Sequence, residues 1–469
     1  MLPQMKLGRS MSPLVFRTVL FALALLVTVT SAAVRKMPVP AADSLTYLSY
    51  ARSLFIAGTY AATPEGPQAD DRPGREPLYP LLIAGVARLL PTLGTTLVDC
   101  DPPNEACQSG FRALPVVNAV LLAGTALLAA IAVEILGGGR LAATLAWAYV
   151  AFNLQMQSDL KYVISDYLAV FLVGASSVLL AFAMRGPGKA ARWVSVGVAL
   201  SLLALSKSLF LLFAILVTVL VTMLGIVRWR RLGSRAVLPA ILLAVVLVGV
   251  HGTWVFRNMS FFGASGDGRG AIALSTREIF DHMTPDEHRA AYLWWLRGPG
   301  ASLAKATLPE DAWKRHEWYN PDGFYLQGQV TRPQERIDRL MQEDHLSRLA
   351  AEARAGRVVL HEIIENWPSY LATMPALFYR GIWFDEFIVL GLPLLIIVVI
   401  RAVSTRRWDL LAALSPGLWS LCVYPAVSLN VPRYQLPAVT TLAIAAAFAL
   451  ERVISRCRKR KSVYKIPIT

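Results

Sequence analysis

Phe111-Arg-Ala-Leu-Pro-Val-Val-Asn-Ala-Val-Leu-Leu-Ala-Gly-Thr-Ala-Leu-Leu-Ala-Ala-Ile-Ala-Val-Glu-Ile-Leu136 is an apolar run of the length a helix needs to cross a bilayer, about 20 residues. Similar runs recur at 14–34, 141–154, 164–184, 193–205, 209–227, 236–254, 387–400, 410–428 and 434–450. Their spacing predicts an all-α polytopic membrane protein of about ten transmembrane helices, with juxtamembrane helices and a long extracytoplasmic loop region. The composition agrees, since 55% of the 469 residues are apolar and 16% are charged, against about 25% charged in soluble domains.

A net charge of +15 invites a nucleic-acid reading until the charges are placed. Six flanks, 1–17, 137–140, 185–192, 228–235, 401–407 and 452–465, carry Lys and Arg and no acidic residue, while the rest of the chain is net acidic. Basic residues in short loops between apolar runs hold those loops in the cytoplasm. Ten crossings put all these flanks and both termini on that side. Counting 77–93 as a further crossing would break the agreement, so it is read as lying in or dipping into the outer interface, and 370–383 is read the same way. The first helix has a second reading as a signal peptide, because Lys6 and Arg9 precede it and Ser31-Ala-Ala33 resembles a cleavage site. Either way, the chain just beyond Val34 lies outside the cytoplasm.

The expected organisation is an N-terminal membrane module over 1–257 with a first outer loop at 35–110, an extracytoplasmic loop region at 258–369, and a C-terminal membrane module at 370–469. Within the second region, 334–367 places Ile337, Leu340, Leu346, Leu349, Val358 and Ile363 at spacings that suit a surface-packed helix pair. Cys100, Cys107, Cys422 and Cys457 are too few for a disulfide framework and lack metal-site spacing. Cys100 and Cys107 both lie outside by this topology, where an oxidising compartment should close them into a local bridge. The string Gly266-Asp-Gly268-Arg-Gly270 follows no βα unit and is not read as a nucleotide loop.

Chemistry is sought where ionisable residues meet the outer edge of the apolar runs. Asp43 opens an amphipathic stretch just past the first helix. It has two readings, a helix N-cap or a carboxylate base. Arg257 ends the seventh apolar run and Arg433 sits in the last outer loop, against the charge bias of the chain; each is either a snorkelling surface residue or a phosphate ligand, which the planar guanidinium suits. Lys207 interrupts an apolar run and Asp166 opens another, and ionisable groups at such depths are often functional. The alternative is that both are held in water at the interface.

Taken in order, Asp43 to Gly58 with the following Arg75-Glu-Pro77-Leu-Tyr79-Pro80, Trp254-Val-Phe-Arg257-Asn258, and Pro432-Arg433-Tyr434-Gln-Leu-Pro437 resemble the GT-C superfamily of polyprenyl-phosphate-sugar-dependent glycosyltransferases. That superfamily includes protein O-mannosyltransferases and the lipid A aminoarabinose transferase. The resemblance implies a membrane glycosyltransferase that moves a sugar from a polyprenyl-phosphate donor to a hydroxyl of a lipid, glycan or protein, on the extracytoplasmic face of a plasma or inner membrane. It implies Asp43 as catalytic base and carries Arg75 over as a ligand of the donor phosphate. Independently, the charge growing on a departing phosphate calls for fixed cations, which Arg257, Arg433 and Lys207 would supply, with Asp166 and Tyr434 as further site residues. Many members carry two adjacent acids in the first motif where this chain has Asp43-Ser44, and that leaves a divalent metal open. Two rival classes are a transporter of a lipid-linked or anionic solute, which would want charge at the bilayer midplane and helices broken in matching halves, and an O-antigen ligase or polymerase with similar cations on another scaffold.

Overall fold

The computed structural model describes residues 11–40, 43–66, 75–101, 103–186, 190–262 and 270–463. The glycine-rich string before Gly270 and the basic residues Lys6, Arg9 and Lys465 lie outside the described residues. Among those described there is no strand, and every one of the ten apolar runs is a helix. The first shows why the ends fall where they do. Ser12 accepts from the Val15 amide at 3.3 Å and Pro13 takes the first helical position, so a hydroxyl cap and a residue with no amide to satisfy begin the span.

Among the described residues, seven helices are long and apolar enough to cross a membrane. The other three runs make shorter helices, Arg140–Ala151, Ala190–Ser206 and Ile388–Ser404. Arg140–Ala151 stops because Asn153 caps a new helix, Leu154–Asp159, its side-chain oxygen accepting from the Met156 amide at 2.8 Å. Twelve residues rise about 18 Å, well under the roughly 30 Å of a hydrocarbon core. The expected interfacial stretch at 77–93 forms two helices, Leu78–Leu89 and Pro91–Asp99, bent by 118°. The predicted surface pair is present as Arg332–Glu343 and Arg348–Glu365, packed through Ile337, Ala351 and Ala355.

Two apolar cores organise the bundle. One gathers Pro13–Val34, Ala113–Ile135, Arg140–Ala151, Ile388–Ser404 and Val439–Val463, largely through buried alanines such as Ala123, Ala126, Ala129, Ala143 and Ala146. Small residues let helix backbones approach where lipid offers no hydrophobic drive to pack, and Thr28 adds a bond to the Ala119 carbonyl at 2.9 Å. The second core joins Asp43–Ile56 and the bent pair to Asp166–Met184, Ala190–Ser206 and the start of Leu209–Leu232. At one end of the bundle the basic flanks meet: Arg185 and Arg407 both pair with Asp409, Arg17 with Glu134, and Arg407 donates to the Leu136 carbonyl. The opposite end carries the loops that enclose a large cavity.

Cys100 and Cys107 are bridged across a sequence separation of 7. Closing so small a loop contributes about 2.5 kcal/mol in the chain-entropy model. The double change Cys100→Ser, Cys107→Ser should therefore lower the apparent Tm in detergent by several degrees while membrane insertion persists. An unchanged Tm would show that the bridge does not hold the bent helix pair.

Candidate active site

At the end of the bundle away from the basic flanks, a cavity of about 900 Å³ is lined by residues from five separated stretches, 37–44, 159–164, 294–329, Arg380 and 431–433. Its charged centre is Asp43, the first residue of Asp43–Ile56. One carboxylate oxygen accepts from Arg75 and the other from Arg433 at 2.6 Å. The carboxylate is thus engaged by two cations from distant parts of the chain.

Each partner is placed by its own local structure. The Arg75 carbonyl accepts from the Tyr60 hydroxyl at 2.5 Å and its guanidinium lies 5.5 Å from the Tyr47 ring. Tyr47 in turn meets Ser165 at 2.9 Å, and Ser44 donates to the Val163 carbonyl at 3.0 Å, so the helix bearing Asp43 is pinned to the 154–165 loop. Asn118 fixes that loop from below, donating to the Leu160 and Tyr162 carbonyls at 3.1 and 2.9 Å. Arg433 follows Pro432 in a tight helical turn. Before it, Asn430 holds a positive φ of 47°, a conformation asparagine tolerates better than most residues, and donates to the Leu377 carbonyl at 2.8 Å. A Cβ at Gly381 would collide with the Asn430 side chain. The missing side chain lets helix Trp367–Ile382, which carries Arg380, close on the turn that carries Arg433.

The other expected site residues divide. Lys207 pairs with Asp166 at 3.1 Å, both largely buried. Neither lines the cavity, yet both act on it through their charge, Lys207 on Asp43 and Asp166 on Arg433. Tyr434 stacks on Tyr424 with centroids 5.3 Å apart, beneath the Arg433 guanidinium at 5.6 Å. Arg257 is not brought to Asp43. It donates to the Tyr60 carbonyl and to Asn258 at 2.8 Å, among the rings of Tyr60, Trp254 and Phe261. It reaches the cluster through Tyr60, the residue that holds Arg75.

Several cavity residues escaped the sequence reading. Asp159 and Lys161 come from the short loop between two apolar runs, and Arg380, His316, Trp295 and Trp318 from the segments above the bundle. Five tryptophans fall between Trp294 and Trp367, a density that could have flagged the region. Burial foremost raises the Asp159 carboxyl, with bonds from Gln155 and Ser158 working against it.

Burial pushes the Asp43 carboxyl up too, but Arg75, then Arg433 and Lys207, outweigh it and hold the group below the ordinary carboxylate range. Among the described residues no group of three or more His, Cys, Asp or Glu gathers as a metal site. Both oxygens of Asp43 are instead engaged by guanidinium groups.

Residues 71–261 match the family described as dolichyl-phosphate-mannose-protein mannosyltransferase, a stretch that contains Arg75, Asp166, Lys207 and Arg257 but neither Asp43 nor Arg433. No curated protein matches the chain. Among solved structures, the archaeal oligosaccharyltransferase of Archaeoglobus fulgidus, in complex with an inhibitory peptide and a dolichol-phosphate, superimposes with a TM-score of 0.51 at 12% identity, over 97% of this chain and 52% of that one. The chain thus spans about half the length of that protein, and the likeness is one of fold. ArnT from Cupriavidus metallidurans, bound to undecaprenyl phosphate, gives a TM-score of 0.38 at 12% identity over 95% of this chain and 79% of that one.

The coupling of Asp43 to Arg75 has a pH signature. A carboxyl held low is ionised at neutral pH, and the folding stability its ion pairs contribute is lost only as pH falls through its depressed value. The acid limb of kcat/KM, which reports the free enzyme, should then lie below the ordinary aspartate value of about 3.9. Replacing Arg75 with Gln should move that limb upward, because the strongest of the cations that hold Asp43 low is removed. A limb that stays in place would uncouple the two.

Proposed function

We propose that this chain, a glycosyltransferase of the GT-C superfamily, moves a sugar from a polyprenyl-phosphate donor to a hydroxyl acceptor at the extracytoplasmic face of a membrane. The observation that carries the reading is the carboxylate of Asp43 held between Arg75 and Arg433 at a cavity beside the membrane helices. The matched mannosyltransferase family is named for a dolichyl-phosphate sugar, which supports a lipid phosphate as donor. The positive-inside rule supports the face, since the basic flanks gather at the opposite end.

The chemistry follows from the charges. A sugar phosphate has a leaving group that needs no proton, so one base suffices to activate the acceptor hydroxyl. The donor phosphate competes with Asp43 for the two guanidinium groups. Among the described residues the Nε–H of Arg75 has no partner, and Arg433 is 38% exposed at its side chain, so both have donors to give. As the phosphate takes them, Asp43 loses the cations that depress its basicity and becomes the better base. The acceptor oxygen then attacks the anomeric carbon and its proton passes to Asp43. The bond from that carbon to the phosphate oxygen breaks, with its electrons left on the phosphate. Fixed guanidinium groups facing that growing charge, away from bulk water, stabilise the transition state more than the ground state. Lys207, neutralised by Asp166, supports the field from behind, and Arg257 steadies Arg75 through Tyr60.

Asp43→Asn separates base from helix start. Asn serves at a helix N-terminus about as well as Asp but gives up the charge that pairs with Arg75 and Arg433, so thermal stability should fall while the variant still folds. Turnover should fall by roughly two to four orders of magnitude, the usual worth of a general base. A folded variant with near-native transfer would remove Asp43 from the chemistry.

A further inference from the structure

The cavity is larger than a base and a phosphate clamp require. Away from Asp43 its wall is aromatic, formed by Trp294, Trp295, Trp318, Tyr319 and Tyr325. Trp318 and Tyr319 remain 37% and 83% exposed, rings presented at an entrance rather than packed in a core. Among them sits His316, buried, with Nε2 2.9 Å from the Glu287 carbonyl. A carbonyl only accepts, so Nε2 carries the proton and Nδ1 is an acceptor. Burial foremost pushes the imidazole down to about 3, against the bond to the Glu287 carbonyl, so it stays neutral. Among the described residues Nδ1 is buried without a partner, as is Oε1 of Gln329, another residue of the wall. Two buried acceptors left unmet are costly, and the O–H groups of a ligand would meet them.

Arg380 adds a cation. It is buried, its Nη1 donates to the Leu429 carbonyl at 3.4 Å, and its guanidinium stands 4.8 and 5.8 Å from the Trp295 and Trp318 rings. Among the described residues it forms no ion pair. A buried guanidinium facing a cavity with no carboxylate beside it is a place for a ligand's anion.

We propose that this aromatic half of the cavity is the acceptor subsite, and that it takes a saccharide carrying an acidic group. The proposal rests on the transferase reading. The apolar C–H face of a sugar ring lies against an indole, its hydroxyls donate to His316 Nδ1 and Gln329 Oε1, and a carboxylate or phosphate on the sugar completes Arg380. Donor and acceptor then approach Asp43 from different sides, the lipid from the membrane helices and the saccharide from the loop segments over them. One acceptor hydroxyl gives its proton to Asp43 and forms the new bond as the donor phosphate departs.

The test uses the full chain in lipid nanodiscs and saturation-transfer NMR. The probes are an array of oligosaccharides containing uronic acids or phosphate esters, their carboxyl-reduced or dephosphorylated counterparts, and a Ser/Thr-rich peptide. At least one acidic oligosaccharide should bind about tenfold tighter than its neutral counterpart, a difference of roughly one charge-assisted hydrogen bond. Whether the uronic or the phosphorylated arm shows it identifies the acid. Arg380→Gln should bring the pair together, and His316→Phe should weaken both. No oligosaccharide bound, no acidic preference, a preference that survives Arg380→Gln, or binding of the peptide alone would each overturn the proposal. Undecaprenyl phosphate binding is measured on the same samples and should need Arg433 but neither Arg380 nor His316, which also reports that the variants are folded. If lipid phosphate binds and no saccharide does, only the acceptor proposal fails. If lipid phosphate does not bind native protein, the transferase reading fails with it.

Discussion

The carboxylate of Asp43 stands between Arg75 and Arg433, and much of the cavity end of the molecule is arranged around that meeting. Partly buried charges are tolerated only when paired and hydrogen-bonded. Here one pairing joins the first loop after the N-terminal helix to the loop before the last one, 390 residues away in sequence. Behind it a second pair, Asp166 with Lys207, places a further acid and base within reach of the same field. Glu76, which acts on both Arg75 and Lys207, brings the carboxylates level with the three cations, so an entering phosphate must compete with Asp43 for Arg75 and Arg433.

The bundle makes this arrangement possible through small residues and a few buried amides. Alanines let Ala113–Ile135 and Arg140–Ala151 lie close, and Asn118 at the end of that packed pair reaches two carbonyls of the 154–165 loop. The loop then offers Val163 and Ser165 to the helix of Asp43. On the far side, Asn430 bridges to Leu377 and receives Gln435 at 2.7 Å, while Gly381 leaves it room. Packing in the membrane helices thereby sets the distance between carboxylate and guanidinium, and that distance decides how basic the carboxylate is.

Much of the fold was legible because bilayer thickness imposes one length on every crossing, and each of the ten runs is a helix. The three short helices come from the three shortest runs, 141–154, 193–205 and 387–400; what was not legible is the new helix that Asn153 starts, since that residue looks like any polar residue at the edge of an apolar run. Asp43 and Arg433 stood out as ionisable groups at the outer edge of apolar runs, while Arg75, in the charged stretch 70–76, entered only through the family resemblance. Arg257 looks the same in sequence as Arg433, but Trp254 and Phe261, one turn to either side, give it an aromatic setting that directs it to Tyr60. The pairing of Lys207 with Asp166 is likewise a tertiary fact. His316 and Arg380 lie in segments with no periodic or motif signal, and their meaning appears only once Trp295 and the Leu429 carbonyl are beside them.

The most direct measurement compares the pH dependence of kcat with that of kcat/KM for sugar transfer, since the first reports groups in the substrate complex and the second those in the free enzyme. If the donor phosphate draws Arg75 and Arg433 away from Asp43, the acid limb of kcat should lie at higher pH than that of kcat/KM. Coincident limbs, or a kcat limb shifted to lower pH, would contradict a base that is released by its own substrate.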